Sequence, residues 1–259
     1  MKSAYISLVL IAFVCSLAQA QLVTDGLVAY WSLDADTISG QDVEDVIGDN
    51  EGVIVGNPVV VAGKVNGALE FDGASSVDIV GTDALNFNGK EQMTVAAWAK
   101  AASEEPVVGV VAGCCGSVVA QRDANGWALR FDGRNPGNEM ELIVCPNWQG
   151  DAGFGAPKLA PGEWHYMTGV VNVNRVLLYV DGELSIEADF AGPMSSVGPE
   201  TEIGHASDGG FVGTIDEVTI YNRALSADEV MKNFQANGLN TTAVSGSGKL
   251  SDTWGHIKN

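Results

Sequence analysis

An all-β fold, a jelly-roll sandwich of two antiparallel sheets with one short C-terminal helix, is predicted by three features of the 259-residue chain. Short runs rich in β-branched and aromatic residues recur along almost its whole length. Gly, Asn, Asp and Pro separate them at short intervals. A helical apolar period shows only once, near the end. Many short strands with turn signals between them select a sandwich or jelly roll over α/β architectures. Inner positions should then alternate with polar outer ones along each strand.

The first twenty residues, "MKSAYISLVLIAFVCSLAQA", stand apart. Lys2 supplies a positive start, Ala4 to Leu17 an apolar core, and Ala18-Gln19-Ala20 a small-residue cleavage signal, the pattern of a secretory signal peptide. The apolar run is shorter than the roughly 20 residues a spanning helix needs. The expectation is a chain that starts near Gln21, is secreted or held at the cell surface, and does not insert in the membrane after cleavage. One domain then occupies residues 22–239.

Within it, "GLVAYWSL", "GALEFDG", "MTVAAWAK", "GWALRFDG", "MELIV", "WHYMTGVV" and "RVLLYVDGELSI" read as strands. Asp181-Gly182 in "YVDGEL" suits the two positive-φ positions of a type I′ hairpin turn, and "VNVNRV" reads as a second tight reversal. Ser226 and Glu229 form a capping box, and Leu225 and Val230 a hydrophobic staple. Val230 and Phe234 share one helix face, and Asn237-Gly238 ends it. Residues 240–259 turn to Ser, Thr and Gly, the composition of a flexible tail. The "GSGK" there is no phosphate loop, because Ala243 stands where the first glycine belongs and Leu250 where Ser or Thr belongs.

A net charge of −20 repels phosphate backbones and anionic headgroups, which excludes nucleic acid and anionic membrane surfaces as partners. After the leader, three cysteines remain: Cys114, Cys115 and Cys145. An oxidising compartment favours one disulfide. Cys114 or Cys115 with Cys145 is the preferred pairing, and a vicinal Cys114–Cys115 bridge is the alternative.

The acids in "GTIDEVTIY" raise the question of chemistry. Strand alternation places Asp216 on the face of Val218 and Ile220, and Glu217 on the other with Thr219 and Tyr221. The Val/Ile face reads as the inner one, so Asp216 reads as an inward carboxylate. Such a group needs a cation or hydrogen-bond donors. Calcium, with its 6–8 oxygen ligands, is the natural cation outside the cell. The alternative is that Asp216 accepts backbone hydrogen bonds. Adjacent acids on opposite faces cannot flank one glycosidic bond, which argues against catalysis. Glu139 and Glu141 in "NEMELIV" share a face and read as an outward polar strand edge.

The segments "GLVAYWSLD", "DVIGDNEGVIVG", "VNGALEFDG", "MTVAAWAK", "GEWHYMTGVV", "LLYVDGEL" and "EIGHASDGGFVGTIDEVTIYNRALSADEV", in that order, resemble the LamG-like jelly-roll domains of the concanavalin A-like lectin/glucanase class. The resemblance implies a curved two-sheet sandwich, often with one calcium ion. It makes Asp45 a second side-chain ligand beside Asp216, with Asp34 a third. Ile47 and Asp49 depart from the family's usual Ser and Asn in that loop. Members are mostly non-catalytic binding modules for glycans or extracellular proteins. Glucanases of this class carry Glu-x-Asp-x-Glu on one strand face. Here "EFDGA" at Glu70 lacks the last Glu and "ELSIE" at Glu183 the central Asp.

For a glycan ligand, the segment "CPNWQGDAGFG" offers an aromatic beside amides and a carboxylate: Trp148, Asn147, Gln149 and Asp151. The alternative is that Trp148 plugs the sandwich rim. Trp31, Trp98, Trp127 and Trp164 lie in or beside strands and read as framework. The expected function is a secreted, carbohydrate-binding adhesion module. The alternatives are a matrix or cell-surface protein that binds other proteins and, less favoured, a glycoside hydrolase or lyase.

Overall fold

The computed structural model describes residues 21–109, 114–122, 125–132, 139–146, 159–196, 198–236 and 238–239. Residues 1–20, residues 240–259 and the segment with Trp148, Asn147, Gln149 and Asp151 lie outside these. In chain order the strands are β1 (Leu27–Trp31), β2 (Ile38–Ser39), β3 (Asp42–Val43), β4 (Gly52–Val55), β5 (Val59–Ala62), β6 (Gly67–Asp72), β7 (Ser76–Ile79), β8 (Gln92–Ala101) and β9 (Val107–Gly109). They continue as β10 (Cys114–Arg122), β11 (Gly126–Asp132), β12 (Glu139–Val144), β13 (His165–Asn172), β14 (Arg175–Val180), β15 (Glu183–Asp189), β16 (Thr201–Ile203) and β17 (Gly209–Tyr221). Helix α1 (Ala227–Gln235) follows. Among the described residues, no helix is long and apolar enough to cross a membrane.

One sheet is built around β17, with β8, β13, β14 and β15 successively on one side. On the other side β6, itself flanked by β5, pairs with the first half of β17, and β1 with the second half. The second sheet runs β2-β3-β4-β7-β16-β10-β11-β12, and the opening residues of β17 join it through β9 and β10. Alternate residues of both sheets meet in one core that includes Trp31, Leu69, Val95, Trp127, Leu129, Leu142, Ile215 and Ile220. Trp31 and Trp127 are fully buried and Trp98 nearly so, which matches their framework reading.

The hairpin turns carry the expected backbone. Asp181 and Gly182 have φ of 52° and 83°, the two positive values a type I′ turn requires. The other reversal joins Asn172 to Arg175 and holds Val173 at φ 53°, where a β-branched side chain is strained. Replacing it with asparagine should raise stability by about 1 kcal/mol, read as a higher urea midpoint. The substitution keeps the bond from the Val173 amide to the Glu91 carbonyl.

Helix α1 begins with the expected capping box between Ser226 and Glu229. Hydrogen bonds from Arg223 hold the Glu229 carboxyl down to about 2. The helix lies on the outer face of the β17 sheet. Val230 packs there with Tyr30, Tyr221 and Leu225, and Phe234 packs against Trp98 and Tyr166. That face is therefore partly a second interior.

Two readings of the second sheet are corrected. Glu141 is not on an outward polar edge: it is fully buried, and the Arg130 guanidinium donates two hydrogen bonds of 3.1 Å to its Oε2. Arg130 also pairs with Asp132 at 3.5 Å and Asp208 at 2.8 Å. Polar alternation failed as a guide because this outer face is covered too. The side chain of Glu139 lies outside the described residues.

The disulfide joins Cys114 to Cys115, not either of them to Cys145. Register explains this. Cys114 is opposite Asp132 at one end of β11, whereas the amide of the buried Cys145 bonds Gly126 at the other end. Six residue steps of about 3.4 Å separate those ends, roughly 20 Å, and a disulfide tolerates a Cα separation of about 7 Å at most.

Candidate functional site: a buried acid pair and an open cleft

The acids of β17 sit where its neighbour changes from β6 to β1. From Asp216 to Thr219 the strand advances three residues, while facing β8 moves only from Trp98 to Ala96. The extra residue is Glu217, held at φ 55°. A bulge of this kind bends the strand and re-aims its side chains.

The bulge overturns the alternation argument. Ile215, Val218 and Ile220 enter the central core, but Asp216 does not share their face. It lies beside Trp98 on the outer face, and Glu217 reaches Tyr30 there. Both acids therefore sit on one side, and both are buried, Asp216 at 0 % and Glu217 at 5 % exposure. Their lids are backbone: a side chain on Gly63 would meet Asp216 Oδ2 at 2.6 Å, and one on Gly238 would meet Glu217 Oε2 at 3.1 Å.

Each acid is half satisfied. Asp216 Oδ2 accepts from the amides of Lys64 and Val65 at 2.8 and 2.9 Å, so the backbone-acceptor reading holds for one of its oxygens. Glu217 Oε2 accepts from the Tyr30 hydroxyl at 2.7 Å. Asp216 Oδ1 and Glu217 Oε1 are buried without a hydrogen-bond partner among the described residues. Desolvation, opposed in part by these donors, raises the Asp216 carboxyl to about 7 and that of Glu217 to about 8. Burial and the Glu217 charge likewise push the Tyr30 phenol upward.

Of the expected calcium ligands, Asp34 is hydrogen-bonded to the turn that caps Asp216, whereas Asp45 has its oxygens engaged by other donors. Asp34 accepts from the Gly67 amide at 2.6 Å and from Asn66 at 3.3 Å, on the same 64–67 turn that caps Asp216. Its charge helps raise both buried acids. Asp45 accepts four hydrogen bonds, from the amides of Tyr30, Ile47 and Asn50 and the Asn50 side chain. It pins the "DVIGDNEG" loop to β1 and has no vacant oxygen for a metal. The donor chemistry thus fits a hard cation at Asp216 and Glu217, with Asp34 adjacent, and does not fit one at Asp45. Asp34, Asp216 and Glu217 do not converge as tightly as a closed cage. Among the described residues, the trio with ligand atoms within 4.8 Å of one another is Cys114, Cys115 and Asp208.

A second feature adjoins the acids on the same outer face. Thr214 stands between Glu70 on β6 and Lys100 on β8, in one cross-strand row. With Val61, Ala62, Ala101, Ala102, Gly162 and Gly213, this row lines an open cleft of about 340 Å³. Lys100 Nζ lies 4.9 Å from the centre of the half-buried Trp164 ring, and Lys64 Nζ 4.2 Å from that of Trp98. Sequence reasoning missed this cleft and the part of Glu217. Nothing in the residue types marks either, because both depend on strand order and the bulge.

A family model for the Concanavalin A-like lectin/glucanases superfamily matches residues 71–231, more than half of the chain. The protein belongs to this superfamily. Comparison with curated proteins returns no match. Among solved structures, it is similar to domain 4 of AbnA, a GH43 extracellular arabinanase from Geobacillus stearothermophilus, in complex with arabinotriose. The TM-score is 0.58 at 19 % identity, over 83 % of this chain and 98 % of that domain. The botulinum neurotoxin serotype D binding domain gives 0.57 at 13 % identity, over 82 % of this chain and 51 % of that one. Trypanosoma rangeli sialidase in complex with the inhibitor DANA gives 0.59 at 15 % identity, over 84 % and 34 %. At these identities the likeness is one of fold, and the chain spans only a third to a half of the latter two.

Proposed function

We propose that the protein is a secreted, non-catalytic binding or adhesion module for carbohydrate, with a structural calcium ion beside the β17 bulge. The observation that supports binding most is the likeness to an arabinanase domain in complex with arabinotriose, over nearly all of that domain. The cleft lining supports a non-catalytic reading, since Glu70 is the one carboxylate among its described residues. Glycosidases of the common types work with two carboxyl groups across one bond. Calcium is supported by the two buried carboxylate oxygens without partners. Asp216 and Glu217 would hold the ion with Asp34 nearby, and the ion would neutralise their charge under the turn 63–67 and the segment at Gly238.

The test is a glycan panel that includes arabinotriose, probed with the whole chain. Binding of at least one saccharide is expected, and Trp148→Ala should weaken it tenfold or more with an unchanged melting temperature. A panel without hits would sink the carbohydrate reading. The protein-binding alternative draws on Val53, Val55, Val59 and Val60, large apolar side chains left exposed on β4 and β5. It would gain if the panel is blank and a patch variant such as Val59→Thr weakens adhesion to extracellular matrix proteins.

A further inference from the structure

We infer that the cleft over Glu70, Thr214 and Lys100 is itself a sugar-binding subsite, one that takes a single neutral sugar ring through its hydroxyl groups. This rests on the carbohydrate reading and deepens it by assigning a place of contact built from residues other than Trp148. Its volume falls in the range of about 300–1,000 Å³ usual for small-ligand sites. The floor is rigid, because three neighbouring strands supply it in register. Its rim is low, because alanines and glycines form most of it.

The polar groups are arranged for a ligand rather than for one another. Glu70 and Lys100 stand on the strands flanking β17, two strand spacings or roughly 9–10 Å apart at the backbone. Among the described residues, neither forms an ion pair. The Thr214 hydroxyl between them, although its residue is 3 % exposed, makes no hydrogen bond to a described residue. So an acceptor, a donor–acceptor and a donor lie in one line. That sequence suits adjacent hydroxyls on a sugar ring, each of which both donates and accepts. It does not suit a lone anion or cation, since Glu70 repels the first and Lys100 the second. Trp164 beside Lys100 adds an aromatic surface of the kind that packs on the C–H face of a sugar. Lys100 is already positioned by its own cation–π contact with that ring, so little ordering remains for binding to supply.

The experiment uses the whole chain labelled with nitrogen-15 and titrated with the methyl glycosides of glucose, galactose, mannose and N-acetylglucosamine. The readout is the Trp164 indole N–H signal, assigned through Trp164→Phe. At least one glycoside should move it in a saturable way. Glu70→Gln, at an exposed position, and Lys100→Met, at a half-buried one, should each weaken that response tenfold or more, and Thr214→Val should do the same if it folds. Trp148→Ala should leave it within twofold. A Trp164 signal unmoved by all four glycosides overturns the cleft. So does a response that survives both Lys100→Met and Glu70→Gln. If the panel still gives hits lost in Trp148→Ala, the carbohydrate reading stands while the cleft falls. A blank panel together with an unmoved signal removes both.

Discussion

Replacing Arg130 with methionine is expected to lower the melting temperature by about 10 °C, the largest loss from any single substitution considered. Arg130 is 2 % exposed and bonds the fully buried Glu141, with Asp132 and Asp208 in the same network. Methionine keeps much of the stem volume but removes the guanidinium, and the buried carboxylates lose its charge and hydrogen bonds. Breaking a buried pair in this way costs about 3–5 kcal/mol. At about 2–4 °C per kcal/mol for a domain of this size, the change is easily read by calorimetry. The double variant Arg130→Met with Glu141→Leu should recover part of the loss, because it also removes a fully buried carboxylate that had bonded the guanidinium. A single variant that melts within about 2 °C of the wild type would show that the network contributes little.

The second large effect is a fall in stability with rising pH in chelator-treated protein. The folded carboxyls of Asp216 and Glu217 are raised from 3.8 and 4.5 to about 7 and about 8, chiefly by desolvation. A raised group stabilises the fold below its unfolded value and loses that contribution as pH climbs to its folded value. The melting temperature should therefore decline between about pH 5 and pH 8 and level off above. The pair couples through its mutual charge, so the decline belongs to both acids together. A tenfold change in proton affinity between the folded and unfolded chain corresponds to about 1.4 kcal/mol, so several kcal/mol are at stake. Asp216→Asn should flatten the profile while keeping an acceptor for the Lys64 and Val65 amides. A decline of the same size in that variant would place its origin elsewhere.

What was legible in the sequence was local. The Asp181-Gly182 turn and the Ser226–Glu229 box rest on residue types whose chemistry acts over two to four positions, and both appear as expected. What was not legible depends on which strand lies beside which. Glutamate has no preference for positive φ, so nothing at Glu217 announces a bulge, and that single extra residue puts Asp216 on the face opposite to Val218 and Ile220. Glu141 misled because alternation equates polar with exposed, while both sheets here bury part of their outer faces. Cys145 looked like a partner for Cys114 until register set them at opposite ends of β11. Glu70, Lys100 and Thr214 are far apart in the chain and meet only through the order β6, β17, β8.

The bulge turns two acids to one buried place where a cation would neutralise their charge, and the calcium proposal hangs on that. The sharpest test is calorimetric titration of calcium into the whole chain at pH 8, with the Glu217→Gln variant beside it. One ion should bind per wild-type chain, raising the melting temperature, which EDTA should lower again, and affinity should be at least tenfold weaker in Glu217→Gln. No binding heat with a melting curve indifferent to EDTA, or binding that Glu217→Gln leaves unchanged, would contradict it.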